Sequence, residues 1–158
     1  MAIARSLEPQ HWNEDAMATV LTYREALNPL HAILLAFPVA LFTGTVLSDW
    51  AYLATAEIQW SNFSAWLNAF GLLFGGVVLA WGLVSAILRP RGWRGGRGLH
   101  IAALAVMWVF GFLGALVHGR DAWYSVTAAG MILSLITAAA ALAAGWTGFR
   151  GFPRKEAL

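Results

Sequence analysis

A chain of 158 residues that is 59% hydrophobic, only 11% charged and of formal net charge +2 departs from soluble domains, in which about a quarter of the residues are charged. Its mean hydropathy of +0.65 points to lipid as the main solvent. The absence of cysteine excludes disulfides, Cys-ligated zinc, iron–sulfur ligation and thiol chemistry.

A bilayer core of about 30 Å is crossed by roughly 20 apolar residues in a helix. Four stretches free of Asp, Glu, Lys and Arg are long enough: 26–48, 58–88, 98–119 and 122–149. The expected fold is an all-α membrane protein, a four-transmembrane-helix up-down bundle over 29–149, with spans at about 29–50, 62–88, 99–118 and 123–146. Little chain remains for a soluble catalytic domain of ordinary size.

Residues 1–28 form a charged arm without the apolar core of a signal peptide, so the first span is expected to act as its own insertion signal. Within the arm, Met17, Val20, Leu21 and Leu27 recur at helical spacing behind Asn13, a residue suited to N-capping. This predicts a short amphipathic helix over 14–28 lying on the interface, with a water-facing helix as the equal alternative. Asn28-Pro29 marks the entry to the first span, because proline is tolerated in a first turn. Pro38 lies deeper and is expected to kink the helix and free a backbone carbonyl.

Small residues line the later spans: Gly71, Gly75, Gly76 and Gly82 in the second, Gly111 and Gly114 in the third, Ala138 to Ala141 with Ala143 and Ala144 in the fourth. They let helix backbones approach closely, and the Gly71-x-x-x-Gly75 pair also suits a homodimer. Trp50, Trp60, Trp66 and Trp123 fall at one interface and Trp93 and Trp146 at the other, an aromatic belt. Trp81 and Trp108 sit nearer mid-span, where an indole N–H needs a partner inside the bundle.

The connection between the second and third spans carries Arg89, Arg91, Arg94 and Arg97; the arm adds Arg5 and Arg24, and the tail at 150–158 adds Arg150, Arg154 and Lys155. The other two connections hold Arg120 alone. Positive-inside bias then places both termini of a multi-pass protein in the cytoplasm.

Polar groups at membrane depth are costly and need an explanation. His31 opens the first span and His100 the third, so both fall on the cytoplasmic side. Helices one and three are diagonal in an up-down bundle, and two imidazoles at equal depth are spaced to ligate a haem b axially. The plainer alternative sets each imidazole among headgroups. At the outer side, Asp49, His118, Arg120, Asp121 and Trp123 converge. There Asp49 is positioned to orient His118 while Arg120 pairs with Asp121. The cluster suits a docking surface, a proton relay or a small polar ligand, or a structural staple joining helices one, three and four. His118 cannot share a site with His100, since eighteen residues of helix span about 27 Å.

No nucleotide-binding loop, zinc-protease motif or nucleophile elbow is present, and no metal-ligand trio emerges, so no catalytic residues are assigned. The sequon Asn62-Phe63-Ser64 matters only in a eukaryotic secretory route. Thr43, Thr45, Asn68, Ser134 and Thr137 are the polar candidates near the midplane, too few for a permease path.

The run HAILLAFPVALFTGTVLSDWAYLATAEIQWSNFSAWLNAFGLLFGGVVLAWGL, followed by LVHGRDAWYSV and GWTG, resembles the bacterial membrane-protein family called domain of unknown function 2231 over about residues 28–148. The family's opening histidine and Phe-Pro fall on His31 and Phe37-Pro38, its outer aspartate on Asp49, and its His-x-Arg-Asp-x-Trp turn on His118, Arg120, Asp121 and Trp123. Ala32 replaces the proline that follows the histidine, and Ser85 stands where an aspartate often ends the second span. The resemblance implies a four-helix inner-membrane protein with no established activity, in a family some of whose members occur beside or fused to redox proteins, including Rieske-type domains and quinoprotein sugar dehydrogenases.

Two functions are carried forward. The first is a non-catalytic inner-membrane subunit that anchors or scaffolds a larger respiratory or redox complex, its partners being other membrane or periplasmic proteins or further copies of itself, and not nucleic acid. The second is a haem b electron carrier between quinone and a redox partner, with His31 and His100 as axial ligands.

Overall fold

A computed structural model of the chain describes residues 21–25, 27–88, 96–119 and 126–156. In chain order they form β1 (Leu21–Glu25), α1 (Pro29–Thr55), α2 (Ile58–Leu88), α3 (Gly96–His118), α4 (Ala128–Phe149) and β2 (Phe152–Glu156). All four helices are long and apolar enough to cross a membrane, and together they make a four-helix bundle.

α1 starts where the local chemistry directs it. The Asn28 side chain accepts a hydrogen bond from the Leu30 N–H at 3.0 Å, and Pro29, which has no N–H to satisfy, takes the first turn. The helix then runs unbroken through the buried Pro38 to Thr55, where Ala56 turns left-handed (φ 56°, ψ 18°) and donates its N–H to the Tyr52 carbonyl at 2.7 Å. α1 and α2 both run beyond the expected span limits at 50 and 62, meeting in a tight hairpin at Ala56-Glu57. Hydropathy marks the lipid-crossing portion of a helix. Its ends are set by the first residues that break the backbone pattern, and nothing in 51–55 does so.

Each helix buries one stripe spaced alternately by three and four. In α1 it comprises His31, Leu35, Pro38, Phe42, Thr45 and Asp49; in α2, Ser61, Ser64, Asn68, Gly71, Gly75 and Val78. In α3 it runs from His100 through Leu104, Met107, Gly111 and Gly114 to His118, and in α4 through Gly130, Ser134, Thr137, Ala141, Ala144 and Gly148. This 3.5-residue repeat is the pattern of knobs-into-holes bundles. Consecutive helices pack together and α4 closes on α1, which leaves α1 and α3 diagonal.

Outward-facing positions are apolar, among them Ile33, Leu47, Leu73, Leu116 and Leu142. Buried positions are small or polar, including Thr45, Ser48, Ser64, Asn68, Ser134 and Thr137. That is the distribution lipid requires, since oil outside the bundle gives apolar side chains no reason to turn inward. At mid-bundle Phe42, 1% exposed, fills a slot between α2 and α3: a Cβ on Gly71 would lie 2.8 Å from its ring, and one on Gly111 3.1 Å. Leu35, Val78, Leu104 and Met107 complete a dry layer around it.

Residues 21–25 correct one expectation. The amphipathic helix expected over 14–28 has its first part outside the described residues, and Leu21–Glu25 are extended, pairing antiparallel with Phe152–Glu156 in the register Tyr23↔Arg154. An even number of spans returns both ends of the bundle to one side, which we call the terminal end. There the two segments satisfy each other's backbone amides across a ribbon. Thr22 and Tyr23 favour extended backbone, and Pro153 is tolerated because both strands are edges.

Gly71→Ala should drive a methyl into the Phe42 ring and destabilise the bundle by about 1–3 kcal/mol. Leu73→Ala on the lipid face, 60% exposed, should cost within about 0.5 kcal/mol. Reversible unfolding in mixed detergent–SDS micelles measures both, and equal costs would remove the slot from the account.

Candidate functional site

Eighteen residues separate His31 from Asp49 in α1, and eighteen separate His100 from His118 in α3. At about 100° per residue that is five full turns, so each pair lies on one face of its helix. Both faces point at the bundle interior, because all four side chains are buried. The diagonal pairing of α1 and α3 therefore creates two centres, one at each end, about 27 Å apart along the helices.

At the end away from the termini, Asp49 is fully buried and receives a side chain from each of the other three helices. Its Oδ1 accepts from the Ser64 hydroxyl of α2 and lies 3.0 Å from His118 Nε2 of α3. Its Oδ2 accepts from the Ser134 hydroxyl of α4 at 2.5 Å. His118 is oriented by its other nitrogen: Nδ1 donates to the Gly114 carbonyl one turn back, at 2.7 Å. Below this cluster, the Asn68 amide donates to the Gly111 carbonyl at 3.1 Å, tying α2 to α3. The hydroxyls of Thr43, Thr45 and Thr137 bond the carbonyls of Val39, Leu41 and Leu133 within their own helices. Of the five midplane polar groups, Thr43, Thr45, Asn68 and Thr137 are thus satisfied one by one, and Ser134 belongs to the Asp49 cluster.

At the terminal end, the His31 and His100 rings lie 5.8 Å apart, centre to centre, inclined by 55°. Trp81 of α2 meets His31 edge to face, and Phe152 meets His100 in the same manner. His100 Nδ1 donates to the Ala144 carbonyl at 3.0 Å and lies 3.2 Å from the Thr147 hydroxyl. With the proton held on Nδ1, Nε2 carries a lone pair. The Nε2 atoms of both histidines are buried and lack a hydrogen-bond partner. The two histidines line a cavity of about 320 Å³ together with Trp81, Ser85, Arg97 and Phe152. α4 can close on this end because position 148 is glycine, where a Cβ would stand 2.9 Å from His100 Cε1.

The profile of the family described as "Predicted membrane protein (DUF2231)" matches residues 27–152. The chain belongs to this family. No curated protein and no solved structure matches it. The matched segment takes in all four spans and both histidine centres.

Of the residues singled out from the sequence, the structure brings His31 to His100 and Asp49 to His118. Arg120, Asp121 and Trp123 lie outside the described residues, as does Trp93. Ser64 and Ser134 were not anticipated as partners of Asp49. The signal available was their position in polar stripes, Ser61-Ser64-Asn68 and Ser134-Thr137, which repeat every three or four residues. Among the described residues no trio of potential metal ligands gathers at either end.

Asp49→Ala should remove the acceptor that Ser64, His118 and Ser134 share and cost about 3–5 kcal/mol. Ser134→Ala, which removes one donor of three, should cost about 1–3 kcal/mol. Unfolding in mixed micelles ranks the two against Leu47→Ala on the lipid face; an Asp49→Ala cost no larger than that control would contradict the hub.

Proposed function

We propose that this membrane protein is a haem b-binding electron carrier whose axial ligands are His31 and His100. The observation that carries the reading is the pair of buried, unpartnered Nε2 atoms on diagonal helices. Leaving a buried ring nitrogen without a partner costs free energy; iron between the two would satisfy both. The two ring centres lie 5.8 Å apart, so His31 and His100 are the residues that would hold the iron. The Ala144 carbonyl fixes the tautomer of His100, as ligating histidines are commonly fixed through their second nitrogen. Trp81 and Phe152 pack on the rings, and Arg97 brings positive charge to the cavity lining, suited to anionic propionates. The group itself supplies reversible one-electron chemistry.

The cavity end is read as cytoplasmic in an inner membrane. Termini and the α2–α3 connection share this end, so it gathers every Lys and Arg of the chain except Arg120. A reporter fused after Leu158 should be active only if it requires the cytoplasm; activity of an export-dependent reporter there would invert the topology.

Protein purified in mild detergent from haem-sufficient cells should show a Soret band that shifts on reduction. The band should vanish in His31→Ala and in His100→Ala, with folding checked by helical circular dichroism. A colourless wild-type protein overturns the carrier and leaves the non-catalytic membrane anchor as the working reading.

A further inference from the structure

The cluster at the opposite end has a property independent of any cofactor. Three donors reach one carboxylate, yet the Ser64 hydroxyl also lies 3.0 Å from His118 Nε2. A hydroxyl has one hydrogen to give, so it bonds either Asp49 or the imidazole. The choice follows the protonation of Nε2. With a proton on Nε2, the imidazolium donates to Asp49 Oδ1 and Ser64 donates to Asp49 as well. With that proton gone, Nε2 is an acceptor, and Ser64 turns its hydrogen from the carboxylate to the ring. Nδ1 donates to the Gly114 carbonyl in both states, and Ser134 continues to hold Oδ2.

We propose that Asp49, Ser64, His118 and Ser134 form a proton-binding site that loads and releases one proton at His118 Nε2, with the Ser64 hydroxyl as the turning element. Rotation of one O–H bond keeps every hydrogen-bonding atom of the ring partnered in both forms, so exchange does not require the bundle to open. α1 contributes Asp49 and α3 contributes His118, while α2 and α4 contribute hydroxyls alone. Tyr52 and Glu57 are the other titratable side chains described at this end. His118 is the last residue of α3, and the exposed Gly119 follows it, so the proton has a short way to water at this end. Toward the other end lie Phe42, Leu35, Leu104 and Met107, each at most 1% exposed, a layer with no group to carry a proton onward.

Nitrogen NMR of the whole protein in lipid nanodiscs, with ¹⁵N-labelled histidine, tests this directly. As the pH is varied from about 5 to about 10, the range reachable around an ordinary imidazole, His118 should move between two states. Nδ1 should stay protonated in both and Nε2 should gain or lose its hydrogen; His118→Gln assigns the resonances. In Ser64→Ala the two states should persist with the apparent midpoint displaced by about one pH unit or more, a tenfold change in the loading equilibrium. A His118 that keeps one protonation state throughout, or whose neutral form carries its hydrogen on Nε2, overturns the proposal and leaves a fixed staple. An unchanged titration in folded Ser64→Ala removes the turning element and likewise counts against it. The absorption spectrum bears on none of these outcomes, so this site and the haem reading stand or fall apart.

Discussion

One carboxylate joins all four helices. In a bilayer the hydrophobic effect gives helices no reason to associate once inserted, so packing and interhelical hydrogen bonds must specify the arrangement. Asp49, buried among side chains from α2, α3 and α4, is the group whose requirements do so at one end. A buried carboxylate without donors costs several kcal/mol, and donors from three different helices can reach it in one arrangement of the bundle. The rest of the distal half, including the Asn68 link to the Gly111 carbonyl, is consistent with that arrangement.

The middle and the terminal end are held by shape instead. Phe42 occupies a slot that exists because positions 71 and 111 have no side chain, and His100 is overlaid by α4 because position 148 has none. The bundle is therefore divided along its axis into a polar hub, a dry aromatic and aliphatic layer, and a histidine-lined cavity. Two centres separated in this way can serve different chemistry. The correspondence between α1 and α3, with ionisable residues at the same eighteen-residue spacing and buried Leu35 and Leu104 in equivalent places, gives the molecule an approximate two-fold character that residue identities conceal.

Some of this could be read before any coordinates. Charge-free runs located the spans, because a helix is the way an isolated segment satisfies its amides in lipid. Asp49 and His118 are associable because both lie toward the far ends of spans that travel in one direction, and His31 and His100 because both lie near the beginnings. Ser64 and Ser134 were missed, since a serine inside a span is equally content bonding its own helix, as Thr45 and Thr137 do. Leu21 and Leu27 fit a helical period although Leu21–Glu25 are extended, because nothing local announces the partner that arrives at residue 152.

The sequence by itself determined the number of spans, their antiparallel threading and the asymmetry of charge between the two ends, because these follow from hydropathy and the position of arginines along one dimension. Tertiary structure alone decided which serines meet the carboxylate, that the two imidazoles share a cavity with bare Nε2 atoms, and that the terminal segments pair. Those outcomes depend on the rotation of each helix about its axis, which is set by small residues on neighbouring helices and leaves only a faint, periodic trace in any single stretch of chain.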